Sequence, residues 1–169
     1  MLSQWQRRYG AAMPKQLSLL LALLVSTVLA ASAVAADRGV PYWASLRVNE
    51  VNMRAGPGED YRISWVYRRQ NLPLKVVRLK EGWRLVEDPG GAKGWVLAQF
   101  LSRDRGAIVA GEGLADMREQ AAVNARLLWR LEPGVVGRLG ACSAGWCRLD
   151  LVGRAGYVAQ ERLWGAGEP

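Results

Sequence analysis

Val51-Asn52-Met53-Arg54-Ala55-Gly56-Pro57-Gly58 is the stretch whose reading decides the fold, because it opens a block that occurs twice. Beyond it come Gly82-Trp83-Arg84-Leu85 and then Gly94-Trp95-Val96. The same order returns about 63 residues on, as Leu114-Ala115-Asp116-Met117-Arg118, Gly145-Trp146-Cys147-Arg148-Leu149 and Gly156-Tyr157-Val158. Arg54 to Trp83 is 29 positions and Arg118 to Trp146 is 28; Trp83 to Trp95 is 12 and Trp146 to Tyr157 is 11. Three ordered landmarks at near-constant spacing mark two copies of one small module, and such self-similarity outranks any single residue as a guide to fold.

Within each copy, short apolar runs alternate with Gly, Pro and charged turns, the pattern of short strands. Copy one reads as strands at Ser45–Val48, Val51–Arg54, Ile63–Tyr67, Leu74–Leu79, Trp83–Val86 and Gly94–Val96. Copy two reads as strands at Leu114–Arg118, Arg126–Leu131, Val135–Leu139, Trp146–Asp150 and Ala155–Val158. About five strands in some 55 residues, with turns every 8–12, indicate an all-β fold of two small barrels in tandem. Leu97–Leu101 and Ala159–Leu163 read as single helical turns.

Gly56 and Gly58 read as positions free to take positive φ. Pro57 fixes its own φ and moves Gly56 out of the helical region, so the loop reads as stiff and preset. Gly82-Trp83 and Gly94-Trp95 read alike, as a turn glycine followed by an inward aromatic that buries on the order of 200 Å².

These residues carry a resemblance. Val51–Leu101 resembles a bacterial SH3-like domain, through Asn52-Met53-Arg54-Ala55-Gly56-Pro57-Gly58, Gly82-Trp83 and Gly94-Trp95-Val96. Gly113–Trp164 is similar but looser, with Asp116 in place of Asn52 and Glu119-Gln120 in place of the Gly-Pro-Gly loop. The resemblance implies SH3-like barrels at 44–103 and 112–165 and a role in binding or targeting to the cell wall. The segment between them contains Ala107-Ile108-Val109-Ala110, readable as a strand joining the modules.

The first 36 residues belong to neither copy. Arg7, Arg8 and Lys15 precede the uncharged run Leu17–Leu29, and small residues Ala30 to Ala36 follow. A positive start, a short apolar centre and an Ala-x-Ala-like end read as a secretory signal peptide. The run is too short for a membrane span of roughly 20 residues, though an uncleaved anchor is the alternative. Met1 or Met13 is the start, and cleavage after Ala35 or Ala36 fits equally. The expected chain is periplasmic or secreted, with no membrane span after cleavage.

Removing residues 1–36 takes away three of the 23 basic residues and none of the 15 acidic ones, leaving +5 instead of +8. The remaining cations, mostly Arg, are scattered singly, the pattern of a solvated, mildly cationic surface and not of a nucleic-acid patch. Cys142 and Cys147 flank Ser143-Ala144-Gly145-Trp146, read as a turn between strands. An even cysteine count in an exported chain suggests a disulfide. Two free thiols, or half of a metal site, are the alternatives.

There is no histidine, so the usual general base and the commonest metal ligand are missing. A cysteine nucleophile needs an activating base, and no metal or cofactor is expected. The carboxylate pairs Glu59-Asp60 and Glu87-Asp88 read as solvated turn residues. Binding is what remains. Asn52, Arg54, Tyr61 and Trp83 are the candidate ligand residues: aromatic faces beside a few polar groups suit extended peptides or sugars. Arg54 is read either as a carboxylate partner or as a clamp on loop carbonyls, and Trp83 and Trp95 as core first. The expected function is a non-catalytic envelope module that recognises peptidoglycan or wall peptides; the alternative is a periplasmic protein–protein adaptor.

Overall fold

The computed structural model describes residues 39–169. The expected signal peptide, with both cleavage positions and both start codons, lies outside them. Gly39–Pro169 form one compact unit.

Copy one contributes β1 (Tyr42–Leu46), β2 (Val51–Arg54), β3 (Ile63–Tyr67), β4 (Pro73–Lys80), β5 (Trp83–Glu87), β6 (Lys93–Leu97), the 3₁₀ turn η1 (Ala98–Phe100) and β7 (Leu101–Ser102). Copy two contributes β8 (Gly106–Val109), β9 (Ala115–Arg118), β10 (Leu127–Leu131), β11 (Val136–Ser143), β12 (Trp146–Leu151), β13 (Arg154–Ala159), η2 (Gln160–Arg162) and β14 (Leu163–Trp164). The sheets run β3-β2-β6-β5-β4-β1-β7 and β10-β9-β13-β12-β11-β8-β14, the same order element for element. The expected all-β tandem is the observed one. Ala107–Val109, read as joining the modules, lies in β8, the first strand of the second sheet, paired to β11 and β14.

The first strand starts earlier than expected, at Tyr42, and ends at Leu46; its inward Ala44 and Leu46 are fully buried. Strand β11 outruns its expected end by four residues and brings Cys142 opposite Cys147 on β12. Their sulfurs are bonded, with Cα atoms 4.0 Å apart. The turns ahead of the two Gly-Trp landmarks match: Glu81 and Gly82 have φ of 40° and 88°, and Ala144 and Gly145 have 49° and 78°. Two successive positive φ values define the type I′ turn, whose twist suits a two-residue hairpin.

Gly94 corrects the second Gly-Trp reading. It stands within β6, not in a turn, and a Cβ there would lie 2.5 Å from Met53 Cγ and 3.0 Å from the Arg54 carbonyl. Gly156 is pressed in the same way, 2.5 Å from Met117 Cγ and 2.8 Å from the Arg118 carbonyl. The Met-Arg and Gly-aromatic landmarks are therefore two halves of one contact. Strand alternation turns Gly94 and Val96 inward and leaves Trp95 half-exposed, so Trp95 is not a core anchor.

Each barrel has its own core, built around Leu46, Met53, Leu74 and Val86 in copy one and Val109, Met117, Leu149 and Val158 in copy two. The barrels share a seam. Ile108 and Val136 of copy two pack against the first core. Trp43 and Trp164 meet edge to face at 4.6 Å, and Trp43 Nε1 donates to the Gly167 carbonyl at 2.7 Å. Ser45 Oγ donates to the Asp104 carbonyl at 2.7 Å, and Arg69 Nη1 to the Gly134 carbonyl at 2.6 Å. A Cβ on Gly106 would collide with the Asn71 carbonyl, so the chain crosses the seam where only glycine fits.

Candidate binding cleft

Strand β2 alternates inward Val51 and Met53 with outward Asn52 and half-exposed Arg54. Outward residues of β2, the loop that follows it and the η1 turn enclose a cleft of about 320 Å³. Its walls are Glu50, Asn52, Arg54, Glu59, Trp83, Leu97, Gln99 and Phe100, with Val51 at its base. Of the four candidate ligand residues, Asn52, Arg54 and Trp83 line this cleft and Tyr61 does not. Trp83 is buried at 8% exposure, so it offers an edge and not an open face.

Arg54 is committed to the loop. Its Nη1 donates to the carbonyls of Glu59, at 2.8 Å, and Tyr61, at 2.7 Å. Charged donors on backbone carbonyls make the stronger class of hydrogen bond. Arg118 does the same in copy two, donating from Nη1 to the Ala125 carbonyl at 2.8 Å and from Nη2 to Asp116 Oδ2 at 2.6 Å.

The loop's backbone path is also shared. Ala55 N–H bonds to the Arg62 carbonyl, Gly58 N–H to Gly56 and Tyr61 N–H to Gly58. Glu119 to Arg126, Ala122 to Gln120 and Ala125 to Ala122 repeat the pattern 64 positions on. Copy two holds this path with Gln120 and Ala122 in place of glycines, so the path itself does not need glycine. Neither Gly56 nor Gly58 has positive φ, which overturns the sequence-based reason for them. The reason is space. The Tyr61 ring occupies the place a Cβ on Gly56 would take, and passes 3.2 Å from one on Gly58. Where Tyr61 is replaced by Ala125, Gln120 fits. Tyr61 is consequently clamped on the loop while half exposed.

Most residues lining the copy-one cleft are replaced in copy two, and the replacement of Phe100 has a visible consequence. Phe100 closes one end of the copy-one cleft. Its counterpart after the Gly-aromatic landmark is Arg162, whose guanidinium donates to the carbonyls of Ala110, Glu112, Gly113 and Leu114 at 2.9–3.3 Å. That side chain ties the copy-two loop down over the same place. Reading the sequence missed Glu50, Glu59, Gln99 and Phe100. Aligning Phe100 with Arg162 across the repeat was the available signal for the last.

The Glu87-Asp88 carboxylates have structural partners. Glu87 sits on β5, not in a turn, between Lys75 and Lys93 at 3.2 Å each, and those hydrogen bonds hold its carboxyl below the ordinary range. Asp88 Oδ1 accepts from the Gly90 and Ala92 N–H groups, and Oδ2 from the Tyr67 hydroxyl at 3.0 Å. Among the described residues, no three His, Cys, Asp or Glu side chains converge as metal ligands. No described helix is long and apolar enough to cross a membrane.

The bacterial SH3 domain family model matches residues 47–102 and again 111–165. A protein named as an N-acetylmuramoyl-L-alanine amidase, YrvJ of Bacillus subtilis (strain 168), is 23% identical over 137 residues, covering 73% of this chain and 26% of that protein. Among solved structures, NlpC2 from Trichomonas vaginalis is 12% identical with a TM-score of 0.34, over 76% of this chain and 49% of that one. NlpC1 from the same organism is 13% identical with a TM-score of 0.33, over 79% and 49%. The chain spans about a quarter of the curated relative's length and about half of each solved chain.

Proposed function

The chain belongs to the bacterial SH3 domain family, and from that we propose that it is a non-catalytic envelope module recognising peptidoglycan or cell-wall peptides. The observation that carries this reading is the open cleft of copy one beside the tied-down counterpart in copy two. A cleft of about 320 Å³ is at the lower end of the range for ligand sites. Asn52 offers an amide that can donate and accept, and Glu59 offers a carboxylate to ligand N–H groups, while Glu50 at the rim is paired with Arg68 at 3.0 Å. Trp83 supplies the apolar wall. Arg54 acts by positioning the Glu59–Tyr61 loop, and Tyr61 presents an aromatic face outside the cleft. A peptidoglycan ligand agrees with the likeness to a protein named as an N-acetylmuramoyl-L-alanine amidase. The Cys142–Cys147 disulfide and the apolar run Leu17–Leu29 support a periplasmic or secreted location.

The test is cosedimentation of the purified chain with protein-free sacculi at low salt. We expect enrichment in the pellet, lowered at least fivefold by Asn52→Ala, an exposed position, with thermal stability unchanged. No enrichment of the parent chain overturns the wall-binding reading.

One observation favours the adaptor reading. Ile63 and Trp65 lie exposed on β3, the end strand of the first sheet, with Trp65 59% accessible. An open strand edge with exposed aromatics is a surface on which another chain can add a strand. Loss of partner recovery from an envelope extract with Trp65→Ser, in a variant that still cosediments with sacculi, identifies this second role.

A further inference from the structure

Arg84 and Arg103 stand 19 positions apart, and nothing in their spacing pairs them. The fold brings both to a second, smaller cleft of about 160 Å³, lined also by Tyr42, Ser102 and three apolar residues. No carboxylate lines it. Among the described residues, neither guanidinium is within ion-pairing distance of an acidic side chain, although such bridges tie down other cations.

Both guanidiniums are held in place. Arg103 lies over the Tyr42 ring, 3.5 Å from its centroid. Stacking of this kind fixes the guanidinium plane and leaves its N–H edge free to donate in a fork. Arg84 is anchored by Nη1 to the Trp83 carbonyl at 2.9 Å and is only partly exposed. Two preset cations share one concavity with no counter-charge in its wall. Copy two lacks the pair, since the residue that matches Arg84 after its Gly-Trp landmark is the disulfide-bonded Cys147.

We propose that this cleft is an oxyanion site that takes one phosphate-type group, held in a fork by Arg103 and by the remaining N–H groups of Arg84. The volume lies below the range of about 300–1,000 Å³ that whole small-molecule ligands occupy. The site therefore recognises a group and not an entire nucleotide or sugar. The group can be a soluble phosphate ester or a lipid headgroup, because both present the same tetrahedral anion. The site is separate from the Asn52 cleft and does not depend on the wall-binding reading.

The test is a titration of the purified ¹⁵N-labelled chain with inorganic phosphate at low salt, followed by amide shifts. Saturable shifts are expected at Tyr42, Arg84, Ser102 and Arg103, with half-saturation of about 1 mM and weakening as salt is raised. Arg103→Gln and Arg84→Gln should each weaken binding at least fivefold, while Arg138→Gln, on β11 of the other barrel, should not. A second arm uses vesicles of phosphatidylcholine with and without phosphatidylglycerol. Binding to the anionic vesicles alone, lost with Arg103→Gln, assigns the lipid headgroup; phosphate binding without vesicle binding assigns a soluble phosphate. Absence of saturable shifts, shifts spread over all arginines, or shifts that survive the Arg84→Gln/Arg103→Gln double variant overturns the proposal.

Discussion

The Tyr61 ring fills the space that a side chain on Gly56 would occupy. The two residues are thus one structural unit. Copy two shows the complementary pair, Gln120 with Ala125, on a loop with the same backbone bonds. Adding a methyl to a filled site costs about 1–3 kcal/mol. Gly56→Ala should therefore destabilise copy one by that amount, and by less than about 0.5 kcal/mol in a Tyr61→Ala background. Urea unfolding of the four members of this cycle checks it. Additive costs would mean that Gly56 is needed for its backbone and not for the ring.

Arg54 should behave as a clamp. Its two bonds to the Glu59 and Tyr61 carbonyls are partly solvated. Arg54→Ala should cost about 1–2 kcal/mol, and Arg118→Ala a similar amount through its bonds to Ala125 and Asp116. Amide exchange should quicken first in residues 55–62. A variant with unchanged stability and unchanged exchange would show that the loop holds itself.

The Cys142–Cys147 bridge closes a short loop between paired residues of β11 and β12. Intact mass after alkylation without reductant should show no modified thiol. Replacing both cysteines with alanine should lower stability by about 2 kcal/mol, the chain-entropy value for so small a loop. Two alkylated thiols in the unreduced chain would sink this expectation.

Tyr67 gives an alkaline prediction. Burial first, and then the neighbouring Asp88 carboxylate and its hydrogen bond, push the phenol above its ordinary value. A raised folded value means the folded chain keeps a proton that the unfolded chain releases. The associated stability is fully present below the unfolded value of about 10 and is lost as pH rises from there towards the folded value. Titration followed at 295 nm should show a tyrosine phase displaced to high pH that is absent from Tyr67→Phe. Tyr67→Phe should flatten the alkaline loss of stability. An alkaline titration that Tyr67→Phe leaves unchanged in its high-pH phase would refute the account.

Legibility in the sequence followed the range of the interaction. The turns before Trp83 and Trp146 were readable because a turn is decided by its own residues, while their type I′ form is set by the positive φ of Glu81 and Ala144. The outward side of Trp95 was not, because it depends on which face of β6 meets Met53. Trp65 and Trp129 sit opposite Met53 and Met117 and repeat at the spacing of the arginines. They went unmarked because no turn glycine announces them. Of the candidate ligand residues, Asn52, Arg54 and Trp83 line one cleft, and both β2 and the start of β5 lie where the sequence put them. Tyr61 packs on Gly56 instead, and a ring-on-glycine contact leaves no periodic trace.

The sequence by itself determined two copies of an all-β module, the turns before their Gly-Trp landmarks and a cysteine pair close enough to bridge. These rest on contacts between near neighbours, or on a repeat that can be counted. Only the tertiary structure decided that the barrels share a seam through Trp43, Trp164 and Gly106. It alone separated the open cleft beside Phe100 from the one that Arg162 ties down, and gathered Arg84 and Arg103 around one concavity. Each of these joins residues distant in the chain, and their meeting is set by how the strands curl and pack, which no local pattern encodes.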